Sequence, residues 1–131
     1  MTEPPTRKDL EGLKPEFRLK LTAALADVNR WCAKHHPEYR FVVVETVRTQ
    51  ERQDWLYASG RTRPGPIVTK VHESKHTKGV AADCVPMKGA DLDWDAPQDV
   101  WDYYGHALRR QELFWGGDWT HFKDLPHAEM A

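Results

Sequence analysis

From Pro15 onward, apolar side chains return at Phe17, Leu21, Leu25, Val28 and Cys32, with mostly polar residues between them. Steps of three and four place these five on one stripe, which predicts an amphipathic helix ending near His35-His36-Pro37. Residues 39–49, YRFVVVETVRT, are rich in β-branched side chains and read as a largely buried strand. Residues 50–59 read as a helix, with Thr49 as candidate N-cap and Gly60 as a C-terminal stop. RTRPGP reads as a loop, IVTKV as a short strand, and VAADCV, after SKHTKG, as a buried strand. Asp95 followed by Gln98 resembles a capping box opening a helix through DVWDYYGHALRRQ. Gly116-Gly117 and Pro126 divide the tail into two or three short extended pieces. The first dozen residues, polar and proline-bearing, are expected to be a loose lead-in.

Helices and strands interleave here without a regular βαβ rhythm. The expected fold class is α+β, a small, mainly antiparallel sheet packed with helices. A length of 131 residues implies one core, and a single domain over 1–131 is expected. The net charge of −1 gives no bulk attraction to nucleic acid or to an anionic membrane. No apolar run approaches a membrane span, and the N-terminus lacks the apolar core of a signal peptide, so a soluble protein made in the cytoplasm is expected. Cys32 and Cys84 read as a reduced pair. Most of the six tryptophans belong in the core, and exposed ones would suit a carbohydrate or peptide cleft.

The chemistry centres on SKHTKGVAAD. Asp83 lies inside an apolar run, where an unpaired buried carboxylate is costly and metal coordination would offset the cost. His76 would approach from the preceding loop, with Gly79 permitting a tight turn. A catalytic zinc commonly takes three ligands from His, Asp or Glu and keeps a fourth position open. His76, Asp83 and the distant His127 are one such set. The competing reading is an exposed loop histidine beside a strand-end carboxylate. Asp124, three residues before His127, could serve as a proton carrier if Pro126 bends the chain, or could simply form a turn. Arg48, read as closing the first strand, could hold a carboxylate or an oxyanion, or face solvent.

Together these stretches resemble the D-alanyl-D-alanine carboxypeptidase family of zinc peptidases, and within it the phage endolysins of the L-alanyl-D-glutamate peptidase type. The matching residues are Ser74, His76, Gly79, Ala81 and Asp83, then Asp124, Pro126 and His127. Upstream they are Arg48, Gln53, Leu56-Tyr57 and Gly60-Arg61-Thr62, and WGGDW also fits the endolysin branch. The resemblance implies a hedgehog/DD-peptidase-like fold and one catalytic Zn2+ on His76, Asp83 and His127. It implies Asp124 as general base and acid, and Arg48 at the scissile carbonyl. Ser74 and Gln53 would lie near the substrate, and Trp115, Trp119 and the RTRPGP loop would shape its pocket. Glu129 would orient a ligand histidine. His121 would flank the site as a substitute ligand or proton donor.

The implied activity is hydrolysis of an amide in the peptidoglycan stem peptide, foremost L-alanyl-D-glutamate. The alternatives are D-Ala-D-Ala carboxypeptidase activity and a non-catalytic zinc-binding module of the same fold. Without a signal peptide, the endolysin reading implies accumulation in the cytoplasm and holin-type release to the wall. A monomer without a separate wall-binding domain is expected.

Overall fold

The structure is a computed structural model and describes residues 2–131. Helix α1 spans Pro15–His35, strand β1 Tyr39–Glu45 and helix α2 Gln50–Ala58. Strands β2 (Ala81–Lys88) and β3 (Asp91–Leu92) follow, then helix α3 (Gln98–Arg110). Strand β4 (Phe114–Trp115), a 3-10 turn (Gly116–Asp118) and strand β5 (His127–Glu129) complete the chain. The sheet runs β1-β2-β5-β4 with every pairing antiparallel, and β3 pairs with the far end of β2. The α+β architecture read from the sequence is the one observed.

The core lies between the sheet and helices α1 and α3. Phe17, Leu21, Val28 and Cys32 are fully buried against Val100, Trp101, Tyr104 and Leu108. Phe41 of β1 stacks on Tyr104 at 4.8 Å and meets Trp101 edge-on at 5.7 Å. Each such side chain contributes roughly 1.5–3 kcal/mol by leaving water. The stripe is as expected except that Ala24 takes the fully buried place and Leu25 is partly buried. Cys32 and Cys84 are free thiols in this core, and burial pushes both upward in pKa, Cys32 to about 11 and Cys84 to about 12.

Three expectations are corrected. IVTKV forms no strand: Ile67, Val68 and Val71 are about half exposed. Side chains around α2 take its carbonyls instead, Gln53 bonding Val71 O at 2.7 Å and Arg61 bonding Thr69 O at 3.2 Å. Helix α3 begins at Gln98 with Pro97 as N-cap and no side-chain cap, and Asp95 donates its N–H to Asp93 in a turn. Arg48 lies beyond β1, which ends at Glu45.

The lead-in, expected to be loose, is fastened to the domain although it has no regular structure. Thr46 donates its N–H to Arg7 O at 2.7 Å and its hydroxyl to Asp9 O at 2.6 Å. Arg52 reaches Glu3 at 3.0 Å and Pro4 O at 3.1 Å, and Lys14 N–H bonds Gly79 O at 2.9 Å. Buried backbone polar groups need partners, and this strap supplies them behind the candidate site.

Candidate metal centre

Strand register builds most of the site. Glu45 of β1 stands opposite Asp83 of β2, after an irregularity at Val43/Glu45, and Asp83 stands opposite His127 of β5. Residues directly opposite share a face, so the register alone brings Asp83 and His127 together. His76 enters from the turn before β2. There Gly79 has φ +75°, and an added Cβ would press on Gly12 O at 3.0 Å, so a side chain is strained at that position. Before β5 the chain turns back, with His127 N–H bonding Asp124 O at 3.2 Å and Asp124 N–H bonding Gly116 O at 3.1 Å. A Cβ at Gly116 would collide with the Asp124 carbonyl, so the glycine admits this turn.

One ligand atom each from His76, Asp83 and His127 lies within 4.8 Å of the others. Asp83 Oδ1 is 3.4 Å from His76 Nε2 and 3.4 Å from His127 Nδ1. The outer ring nitrogens are already committed. His76 Nδ1 donates to Thr46 O at 2.9 Å, and His127 Nε2 donates to Glu129 Oε1 at 2.8 Å. Those bonds fix tautomers that turn a lone pair from each ring toward Asp83. Asp83 Oδ1 is buried without a hydrogen-bond partner. Two imidazole lone pairs facing a carboxylate oxygen repel one another unless a cation joins them. The donor set, two nitrogens and one oxygen, suits zinc.

The electrostatics agree. Burial pushes the Asp83 carboxyl up, but the two histidines outweigh it and hold it below the usual carboxylate range. Burial disfavours a charged His127, yet Asp83, Glu129 and Asp124 raise it to about 9, so without a metal a proton takes the cation's place. Partial burial and the neighbouring Asp83 charge push the Asp124 carboxyl up. Asp124 Oδ2 lies 4.0 Å from His127 Nδ1 with its side chain 44% exposed, beside the ligand set and open to the cleft.

Arg48 lines the same cleft, of about 650 Å³. Glu45 accepts two of its N–H bonds, at 2.7 and 3.2 Å, and Gln53 accepts a third at 2.7 Å. One N–H on each terminal nitrogen remains for another acceptor. Glu45 also binds Arg52 at 2.7 Å, and Arg52 is held by the strap. Sequence reasoning missed Glu45, Arg52 and Thr46. Glu45 carried a usable signal, because like Asp83 it interrupts an apolar run.

Among the other expected residues, Ser74 is buried in the cleft wall, and its hydroxyl accepts the His76 N–H at 3.1 Å. Trp119 lines the cleft with its ring 5.0 Å from that of His127. Glu129 stands behind His127 and is itself held by Lys75 at 2.9 Å. Three expectations fail on position. Gln53 is fully buried behind Arg48 and faces no substrate space. Trp115 is a core residue, its indole N–H bonded to Leu125 O at 2.7 Å. His121 is exposed and stands outside both the cleft lining and the ligand set. The cleft wall comes from Val68, Thr69, Lys70 and Val71, after the RTRPGP loop rather than in it.

An α+β domain that gathers a buried His-Asp-His set, an adjoining carboxylate and a guanidinium in one cleft has the features of a metal-dependent hydrolase. Residues 68–130, just under half of the chain, match the family model for D-alanyl-D-alanine carboxypeptidase. It is 37% identical over 99 residues to the peptidoglycan L-alanyl-D-glutamate endopeptidase CwlK of Bacillus subtilis (strain 168), covering 68% of this chain and 59% of that protein. It is 33% identical over 90 residues to the L-alanyl-D-glutamate peptidase of Listeria phage A118, covering 68% of this chain and 30% of the relative. The chain thus spans less than two thirds of the length of either curated relative, 59% of one and 30% of the other.

Among solved structures, the Serratia marcescens L-Ala D-Glu endopeptidase ChiX matches with TM-score 0.69 and 24% identity, over 99% of this chain and 89% of that one. The vancomycin resistance D,D-dipeptidase VanXYg matches with TM-score 0.62 and 19% identity, over 89% of this chain and 49% of that one. These likenesses establish the shared fold. Among the described residues, no helix is long and apolar enough to cross a membrane.

Proposed function

We propose that this chain is a zinc-dependent peptidase that hydrolyses the L-alanyl-D-glutamate amide of the peptidoglycan stem peptide. The observation that carries the metal is Asp83 Oδ1, buried, unpartnered and faced by two histidine nitrogens. The bond is argued from the relatives, two of which are named for L-alanyl-D-glutamate cleavage. Zinc held by His76, Asp83 and His127 would supply Lewis acidity and acidify water at the site.

The rest is assigned to the chain's own residues. Asp124 takes a proton from the attacking water and returns it to the departing nitrogen as the C–N bond breaks. Its raised pKa suits a group that must hold that proton for part of the cycle. Arg48, immobilised by Glu45 and Gln53, offers its remaining N–H groups to the carbonyl oxygen as that atom gains charge. Thr46 and Glu129 keep the histidine rings in the ligating tautomer. Ser74 holds the backbone at His76, and Trp119 closes the cleft over His127.

The setting proposed with this activity is a monomer released from the producing cell's cytoplasm through a holin-type opening. The phage relative supports that setting. The test is digestion of purified peptidoglycan by the zinc-loaded protein, read by mass spectrometry. New L-alanine C-termini and new D-glutamate N-termini are expected. Release of terminal D-alanine alone would assign the protein to carboxypeptidase chemistry, and no new termini would leave a non-catalytic module.

A further inference from the structure

Two clefts meet at the candidate site. The larger carries Lys70, Lys78, Trp119 and Phe122 on its walls. A second, of about 290 Å³, is lined by Thr6 of the strap, Trp94 of the loop after β3 and Pro126 just before β5. Glu45, Arg52, Asp83 and Asp124 border both. A substrate held at Asp83 and Asp124 can therefore extend in two directions, as cleavage inside a chain requires.

The two clefts differ in chemistry. In the larger, Lys75 is committed to Glu129, whereas Lys70 and Lys78 have no carboxylate within ion-pair distance among the described residues. Lys70 instead stands 5.2 Å over the ring of Phe122. Phe122 is half exposed in a left-handed backbone conformation, φ 56°, which costs about 1–2 kcal/mol for such a side chain. The one unpaired acid on this wall is Glu73, so cations prevail. Among the described residues, the smaller cleft has no charged lining beyond the four shared ones, and Trp94, 55% exposed, is its one aromatic.

The proposed substrate has the same asymmetry. On the amine side of the L-alanyl-D-glutamate bond, glutamate continues through its side chain and leaves its α-carboxylate free beside the scissile nitrogen. On the acyl side are a methyl group and, through the lactyl ether, an N-acetylated and therefore neutral amino sugar. Resting on the function proposed above, we infer that the stem peptide lies across both clefts in one direction. Its D-glutamyl carboxylate meets Lys70 and Lys78 in the larger cleft, and its alanyl-muramoyl end meets Trp94 and Thr6 in the smaller.

The test uses the zinc-loaded full chain and three synthetic peptides: N-acetylmuramoyl-L-alanyl-γ-D-glutamyl-lysine, its D-isoglutamine counterpart, and the same glutamyl peptide without the sugar. Exposed ion pairs being weak, the wild type is expected to favour glutamate over isoglutamine roughly fivefold, mainly through KM. Lys70→Gln with Lys78→Gln brings that ratio to near one, and Trp94→Ala lowers the preference for the muramoyl peptide over the bare one. The assignment is overturned if the lysine variants keep the ratio, or if Trp94→Ala shifts the glutamate ratio while the lysine changes shift the sugar preference. Failure of the wild type to cleave any peptide would remove the proposed function itself, and this inference with it.

Discussion

The floor of the site and its rim are built differently. On the floor, the outer ring nitrogens of His76 and His127, the Glu45 carboxylate and three N–H groups of Arg48 are held by named partners, and those partners lead outward to the strap and to Lys75. On the rim, Lys70, Lys78, Trp94 and Phe122 stand in solvent with few ties. The floor leaves one buried atom unsatisfied, Asp83 Oδ1, and the rim leaves whole side chains free. Chemistry that demands fixed geometry sits on paired strands, while recognition is left to loops that can adapt to a polymer.

That contrast can be broken at the floor first. His127→Ala should abolish both zinc binding and hydrolysis, as dialysis followed by metal analysis and a turbidity assay on cell walls would show. Asp124→Ala separates the two properties: zinc stays while kcat falls on the order of a hundredfold or more, since only the proton carrier is lost. Full activity in that variant would remove Asp124 from its role.

Glu45→Gln tests the frame behind Arg48. Its carboxylate joins two guanidiniums with all three side chains about nine-tenths buried, and breaking such a network costs roughly 3–5 kcal/mol. A lower midpoint in urea denaturation is expected, with kcat falling more than KM rises. Glu129→Gln should weaken zinc binding by about tenfold or somewhat more, because the carboxylate behind His127 becomes a neutral amide. Chelator competition measures that loss directly.

The smallest effect concerns pH. His127 in the metal-free protein is raised from an ordinary 6.5 to about 9. A raised pKa in the folded state gives stability that is full below the unfolded value and lost as pH climbs through the folded one. Thermal melts of the metal-free protein should therefore decline between about pH 6.5 and 9, and zinc should suppress the decline by replacing the proton. A metal-free midpoint flat across that window would show that His127 is not held charged.

How much of this could be read beforehand follows from the range of the interactions. Helix α1 and strands β1 and β2 are local patterns of apolar spacing, and they were legible. His76, Asp83 and His127 were legible as a candidate set, since a carboxylate inside an apolar run is an anomaly, but spacing alone left a bland alternative and the family resemblance named them as ligands; the fold brings the three together. The strap was not legible. Its bonds to Thr46 and Arg52 are made by backbone carbonyls and one glutamate, and no side-chain pattern announces them. Gln53 and Trp115 were read as substrate contacts because motif matching places residues near a site without saying which way they point. Gln53 serves Arg48 from behind, and Trp115 fills the core. The failure of IVTKV has the same root: strand propensity cannot foresee that neighbouring side chains take the carbonyls a ladder would need.

The central claim is that two imidazoles and one carboxylate hold a catalytic zinc. X-ray absorption at the zinc edge of the loaded protein addresses it directly. The account predicts one zinc per chain with the scattering of two histidine rings and oxygen in the remaining shell. Sulfur from Cys32 or Cys84 in the shell, or zinc without imidazole, would contradict it.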